Sequence, residues 1–142
     1  TQTPAGLMVP VIHAAQGLDI WQLAMAIARL AAEAREGRIA AAELTGSTIT
    51  ISSLGKLGGI AATPIINRPE VAVLAPNRVV ERPVWTAHGV EPRQLMNLSI
   101  SCDHRVVDGY DAAAFVQAIK TLIETPALLF VGGEEGRGAT LP

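Results

Sequence analysis

The sequence holds one cysteine, Cys102, which excludes an internal disulfide and sets the expectation of a reducing compartment. It also lacks charge of one dominant sign: a net charge of −2 and a pI near 5.9 give no electrostatic grip on nucleic acid or anionic lipid. No apolar run approaches the roughly 20 residues that a membrane span requires. The opening Thr-Gln-Thr-Pro has neither a charged n-region nor an apolar h-region, so no signal peptide is visible. His13, His88 and His104 do not fall at a metal-ligand spacing, and no metal site is expected. Gly55, Gly58 and Gly59 lack the following Lys-Ser/Thr of a phosphate-binding loop. There are no internal repeats and no linker composition dividing the chain.

What is present is 49% apolar and 17% charged over 142 residues, the composition of one globular domain. A domain of that size buries roughly 70% of its unfolded surface. Together these features set the expectation of a soluble, intracellular protein with a small-molecule or protein partner. There is no initiator Met, and a strand-like stretch, Leu7 to Ile12, begins almost at once, which reads as a fragment of something longer.

Along the chain, Leu7 to Ile12 predicts a strand, with Pro10 at an edge or bulge because it has no N–H to donate. Asp19 is a candidate N-cap, and Leu23, Ile27, Leu30 and Ala31 form a core-facing helical stripe that Gly37 ends. Ala40 to Leu44 suggests a short helical turn. Ser47 to Ser53 alternates hydroxyl and isoleucine with period two, a strand carrying Thr48, Thr50 and Ser52 on one face. Leu54 to Gly59 predicts a tight loop, Val71 to Leu74 a buried strand, and Arg82 to Pro92 a hairpin turning near His88-Gly89. Leu95 to Cys102 predicts a further strand, and Ala112 to Ile123 a helix ended by Pro126. Trp21 and Trp85 are expected to pack in the ordinary way, His13 and His88 to lie on the surface. The fold class is therefore α+β, a mixed sheet flanked by helices.

Chemistry concentrates in Ser99-Ile100-Ser101-Cys102-Asp103-His104-Arg105-Val106-Val107-Asp108-Gly109. An apolar strand runs there into a cluster of titratable groups, which costs desolvation free energy unless the charges pair or do work. A histidine in such a place can accept and return a proton near neutrality. Asp108 is close enough to pair with Arg105 or another cation and fix the loop, and Gly109 permits the backbone angle that starts the next helix. Taken alone, a histidine flanked by Asp and Arg is more often a surface residue than a catalyst. Cys102 and His104 also fit a thiol nucleophile with its base, but a small buried hydrophobe ending a strand is the preferred reading of Cys102.

The string Asp103 to Gly109 resembles, at every position, the Asp-His-Arg-hydrophobic-hydrophobic-Asp-Gly signature of the dihydrolipoamide acyltransferases of 2-oxo acid dehydrogenase complexes. Chloramphenicol acetyltransferase shares a looser His-x-x-x-Asp-Gly; antibiotic acetylation is disfavoured by the match at Asp103 and Arg105. Thr48 to Gly55 with Gly58-Gly59, Thr63 to Ala72, Gly6 to Pro10 and Met96 to Ser99 also resemble the family's blocks. The resemblance covers about Pro4 to Phe130. Arg82-Pro83, Asn97-Leu98-Ser99 and Pro126 to Val131 look most like bacterial branched-chain members, with pyruvate-type acetyltransferases an alternative.

The resemblance implies the C-terminal portion of a chloramphenicol-acetyltransferase-like catalytic domain over residues 1–131, followed by a flexible tail, 132–142. It implies acyl transfer between dihydrolipoamide and coenzyme A, with His104 as general base, Ser52 as oxyanion donor and Asp108 holding the loop and the histidine. The lipoyl group would arrive on a separate domain. The expected partners are a homotrimer assembled into a larger cage, the lipoyl domain, and the dehydrogenase and dihydrolipoamide dehydrogenase components. Ser52 and His104 are expected to meet across a subunit interface. The family's N-terminal helix and strands, part of its substrate channel and a cation partner for Asp108 are missing ahead of Leu7. A bacterial cytoplasm is expected, with a mitochondrial matrix as alternative, and a non-catalytic scaffold role remains the competing reading. The bland role for Ser52 is a strand hydroxyl capping a turn at Gly55.

Overall fold

The computed structural model describes residues 1–130, so the expected tail lies outside the described residues. The chain forms two compact units, Thr1–Thr48 and Ile49 onward. The division falls inside the alternating hydroxyl–isoleucine segment, where composition gives no sign of a boundary.

In the first unit, β1 (Gln2–Thr3) pairs antiparallel with β2 (Gly6–Leu7). The buried Thr3 hydroxyl closes this turn by donating to the Gly6 carbonyl at 2.7 Å, and Gly6 takes the φ of 118° that a side chain would resist. The expected strand over Leu7 to Ile12 is therefore cut short at Leu7. Met8 bonds only back to Thr1, Pro10 has no N–H, and the Val11 N–H turns away to the Glu43 carbonyl at 2.8 Å.

Helix α1 (Ile20–Arg35) begins on a full capping box. Asp19 accepts from the Trp21 and Gln22 N–H groups at 2.8 Å, and the Gln22 side chain accepts from the Asp19 N–H at 2.9 Å. Such a cap is worth about 1 kcal/mol. Gly37, at φ 68°, ends the helix as expected. Leu30 and Ala34 are buried and Leu23 half-buried, but Ile27, expected in the stripe, is 60% exposed, and Trp21 also faces outward. The apolar stripe is wider than the surface that covers it here, because only Leu30 and Ala34 are buried, with Leu23 and Ala26 half-buried beside them. Arg29 bridges Glu33 and Glu43 and so ties α1 to the short helix Ala41–Leu44.

The second unit is built on a three-stranded sheet in the order β3 (Thr50–Ile51), β4 (Ala72–Pro76), β7 (Leu98–Cys102). β3 runs parallel to β4, and β7 antiparallel to it, a mixed sheet as expected. Val73, Leu74 and Ala75 form its buried core, with Val73 only 1% exposed. Thr50 donates at 2.8 Å to the carboxylate of Glu70, which is 7% exposed, joining β3 to the turn that enters β4. Between these strands, β5 (Val80–Thr86) and β6 (Gly89–Leu95) form a hairpin longer than the sequence suggested. Trp85, opposite Val90, is 81% exposed, so the expected ordinary packing of this tryptophan does not occur among the described residues.

The single strand expected over Leu95 to Cys102 is divided. β6 ends at Leu95, and the chain is re-anchored when Asn77 donates to the Asn97 carbonyl at 3.0 Å and the Ser99 hydroxyl at 2.9 Å. Helix α2 (Gly109–Glu124) packs on β7 and starts three residues earlier than its apolar spacing implied, because Asp108 caps it. Gly109 is simply the first helical residue; it is not among the glycines at positive φ, so the special angle expected there is not used.

Candidate active site

His104 stands at the far end of β7, in a turn built almost wholly by its predecessor. The Asp103 N–H donates to the Val71 carbonyl at 2.8 Å and so carries the β4–β7 ladder one residue further. The Asp103 carbonyl accepts from both Val106 and Val107 N–H groups at 2.9 Å, which folds the chain back. The carboxylate accepts from the Arg105 N–H at 3.1 Å and from its guanidinium at 2.9 and 2.6 Å. These Arg105 bonds hold Asp103 well below the usual carboxylate range, at about 2. The His104 side chain is exposed, not sealed in a core, and among the described residues its ring has no hydrogen-bond partner.

The expected pairing of Arg105 with Asp108 does not form. The turn brings the Asp103 carboxylate back against Arg105, while Asp108 faces the start of α2 and accepts from the Asp111 N–H at 2.9 Å. Asp108 still braces the loop, by capping the helix that follows it. Cys102 is half-buried at the end of β7, opposite Ala72, as a small apolar residue ending a strand.

Ser52 follows β3 and extends its main-chain pairing by one residue, its N–H donating to the Leu74 carbonyl at 2.9 Å. The bland role considered for it, capping the turn at Gly55, belongs to its neighbour. The Ser53 hydroxyl accepts from the Gly55 N–H and donates to the Pro76 carbonyl, both at 3.2 Å. The Ser52 side chain is left exposed, without a hydrogen-bond partner among the described residues.

One chain does not bring these groups together. The register sets Thr50 beside Val73 and Ile51 beside Leu74, which puts Ser52 level with Ala75 and hence with Ser99 on β7. From Ser99 the strand runs four residues, roughly 13 Å, to Asp103 before His104 begins its turn. Ser52 is also two strand spacings, roughly 10 Å, to the side. Neither of two open grooves in this unit, beside Arg82 and Pro92 and beside Asn97 and Lys120, is lined by Ser52 or His104. Sequence reasoning missed Asp103 as the residue that shapes the turn; its i,i+2 spacing to Arg105 at a strand end was the available signal.

The structure presents an exposed histidine at a strand end, set in an Asp-His-Arg turn and followed by a capped helix. The chain belongs to the 2-oxoacid dehydrogenases acyltransferase (catalytic domain) family, whose model matches residues 1–131. It is 56% identical over 131 residues to the lipoamide acyltransferase component of the branched-chain alpha-keto acid dehydrogenase complex of Pseudomonas aeruginosa. That match covers 92% of this chain and 31% of the relative, so the chain spans about a third of the length of the curated relative. A dihydrolipoamide acetyltransferase of Azotobacter vinelandii superposes with a TM-score of 0.86 at 41% identity, over 92% of this chain and 54% of that one. The solved cubic core of a pyruvate dehydrogenase multienzyme complex also superposes at 0.86, with 40% identity and the same coverage. The Azotobacter structure belongs to an investigation of a serine, a histidine and an asparagine in that enzyme's catalytic mechanism. Their spacing in that chain is the spacing of Ser52, His104 and Asp108 here, with aspartate in place of the asparagine.

Proposed function

We propose that this chain is the C-terminal portion of a dihydrolipoamide acyltransferase catalytic domain, in which His104 is the general base that activates a thiol. The observation that carries the reading is the exposed imidazole at the end of β7, held in a turn with every polar backbone group of Asp103 committed. His104 removes the proton from the thiol of coenzyme A, and the thiolate attacks the carbonyl carbon of the acyl-dihydrolipoamide thioester. The negative charge on the tetrahedral oxygen is met by the Ser52 hydroxyl. Collapse breaks the carbon–sulfur bond to the lipoyl arm, and His104 returns the proton to the departing sulfur. Coenzyme A brings the thiol and the lipoyl group the thioester, each on a long arm, with the lipoyl group on a separate domain.

The separation of Ser52 and His104 supports a site assembled from two copies, with a trimer as the repeating unit of a larger core. The exposed Trp85, Leu57 and Ile65 leave apolar side chains available for contacts in such an assembly. The branched-chain relative favours a branched acyl group over acetyl, and a bacterial cytoplasm as the setting. Within that setting the lipoyl domain and the dehydrogenase components are the partners. The test is an acyl-transfer assay of the intact enzyme beside its His104→Ala variant. A loss of about 10²–10⁴ in kcat is expected. Equal rates would leave the chain with an assembly role alone.

A further inference from the structure

We infer that Asp103 and Arg105 form a clasp that fixes the backbone of His104, which makes Asp103 a positioning residue for the base; this rests on the reading of His104 just given. His104 is the one residue between the two clasped positions. Its ring finds no partner among the described residues, so the direction of the imidazole is set by its own backbone and χ angles. That backbone is held from Asp103 by every polar group available: the N–H to Val71, the carbonyl to Val106 and Val107, and the carboxylate to Arg105. Arg105 grips the carboxylate twice over, through its main-chain N–H and through a side-chain fork of Nε and Nη2. A planar guanidinium suits that fork where an ammonium would not.

The Arg105 side chain is 88% exposed, and an ion pair so open to water adds little to global stability. Its effect is local, on the one residue it spans. The carboxylate stays ionised down to about pH 2, so the clasp persists wherever the enzyme works. Asp108, capping α2 at the other end of the turn, holds the exit as Asp103 holds the entry.

The test measures kcat and KM for both thiol substrates in the intact enzyme, for wild type, Asp103→Ala, Asp103→Asn, Arg105→Ala and His104→Ala. Misplacing a reacting group by about 1 Å costs roughly 10²-fold, so Asp103→Ala is expected to lower kcat about 10- to 100-fold with KM values within about twofold. Asp103→Asn keeps an acceptor for the Arg105 N–H and should recover most of that loss. Arg105→Ala removes only the fork from the surface, leaves the fold intact, and should lower kcat several-fold. If Asp103→Ala and Arg105→Ala turn over at the wild-type rate while His104→Ala is inactive, the clasp has no such role. A loss confined to KM, or an Asp103→Asn no better than Asp103→Ala, overturns it equally. Wild-type activity in His104→Ala would instead remove the function on which the inference rests.

Discussion

Ser52 and His104 lie at opposite ends of the same three-stranded sheet. Ser52 is level with Ser99 on β7, and four residues of strand separate that level from the turn that displays the histidine. Both side chains are exposed and neither has another hydrogen-bond partner among the described residues. A proton acceptor and an oxyanion donor act on one reacting carbon only when each is about 3 Å from its target. The parallel β3–β4 pairing directs the end of β3 away from the end of β7, which supports the proposal that a second copy completes the site.

Ser52→Ala tests the oxyanion role. Removing one donor typically costs about 10²–10³ in rate. We expect a kcat loss of that order with little change in KM. Stability should change by less than about 0.5 kcal/mol, since the hydroxyl is exposed and the Gly55 turn rests on Ser53. Steady-state kinetics with a thermal melt of the same preparation checks both halves. A rate within about twofold of wild type would reduce Ser52 to a strand hydroxyl.

Cys102→Ala should leave acyl transfer nearly intact. In the proposed mechanism the acyl group passes from a thioester sulfur to a thiol sulfur and needs no protein nucleophile, and Cys102 sits half-buried in the β4–β7 ladder. A kcat within about twofold of wild type is expected. A collapse in rate without loss of fold would revive a covalent cysteine mechanism.

Acid stability carries a signature of Asp103. Its folded-state pKa is lowered, from 3.8 to about 2, by the bonds from Arg105. The unfolded chain therefore binds the proton first, and the stability contributed by this carboxylate is present above about pH 3.8 and lost as pH falls toward 2. Asp103→Asn, which has nothing to protonate, should show a shallower fall in stability across that window. Denaturant midpoints measured between pH 4.5 and 2 for both proteins provide the comparison, and parallel curves would show that the ion pair is not formed in solution.

The turn that displays His104 was legible in the sequence because its signal is local. An apolar strand, an Asp-His-Arg turn and an Asp before a helix follow one another within eleven residues, and all three are present, although the strand starts at Leu98 and the helix at Gly109. The Asp19 cap and the Gly37 stop were legible for the same reason, since capping depends on the nearest few residues. Partners that depend on turn geometry were not. Arg105 reads equally well against Asp108 or Asp103 until the backbone folds back. Ile27, Trp21 and Trp85 satisfy every rule for buried positions and are exposed, because periodicity reports that a face is apolar and not what covers it. The split after Leu95 was hidden by an unbroken run of strand-forming residues, and only the Asn77 bonds to Asn97 and Ser99 show why the chain re-registers there.

The shared site is tested most directly by mixing two inactive enzymes. Ser52→Ala and His104→Ala chains, unfolded together in equal amounts and reassembled, give rings in which about one interface in four joins an intact Ser52 from one copy to an intact His104 from the next. The account predicts that the mixture regains about a quarter of the wild-type activity, while each variant reassembled alone stays near its own residual rate. Recovery of activity no greater than the mean of the two variants, in mixed assemblies of normal size, would contradict it.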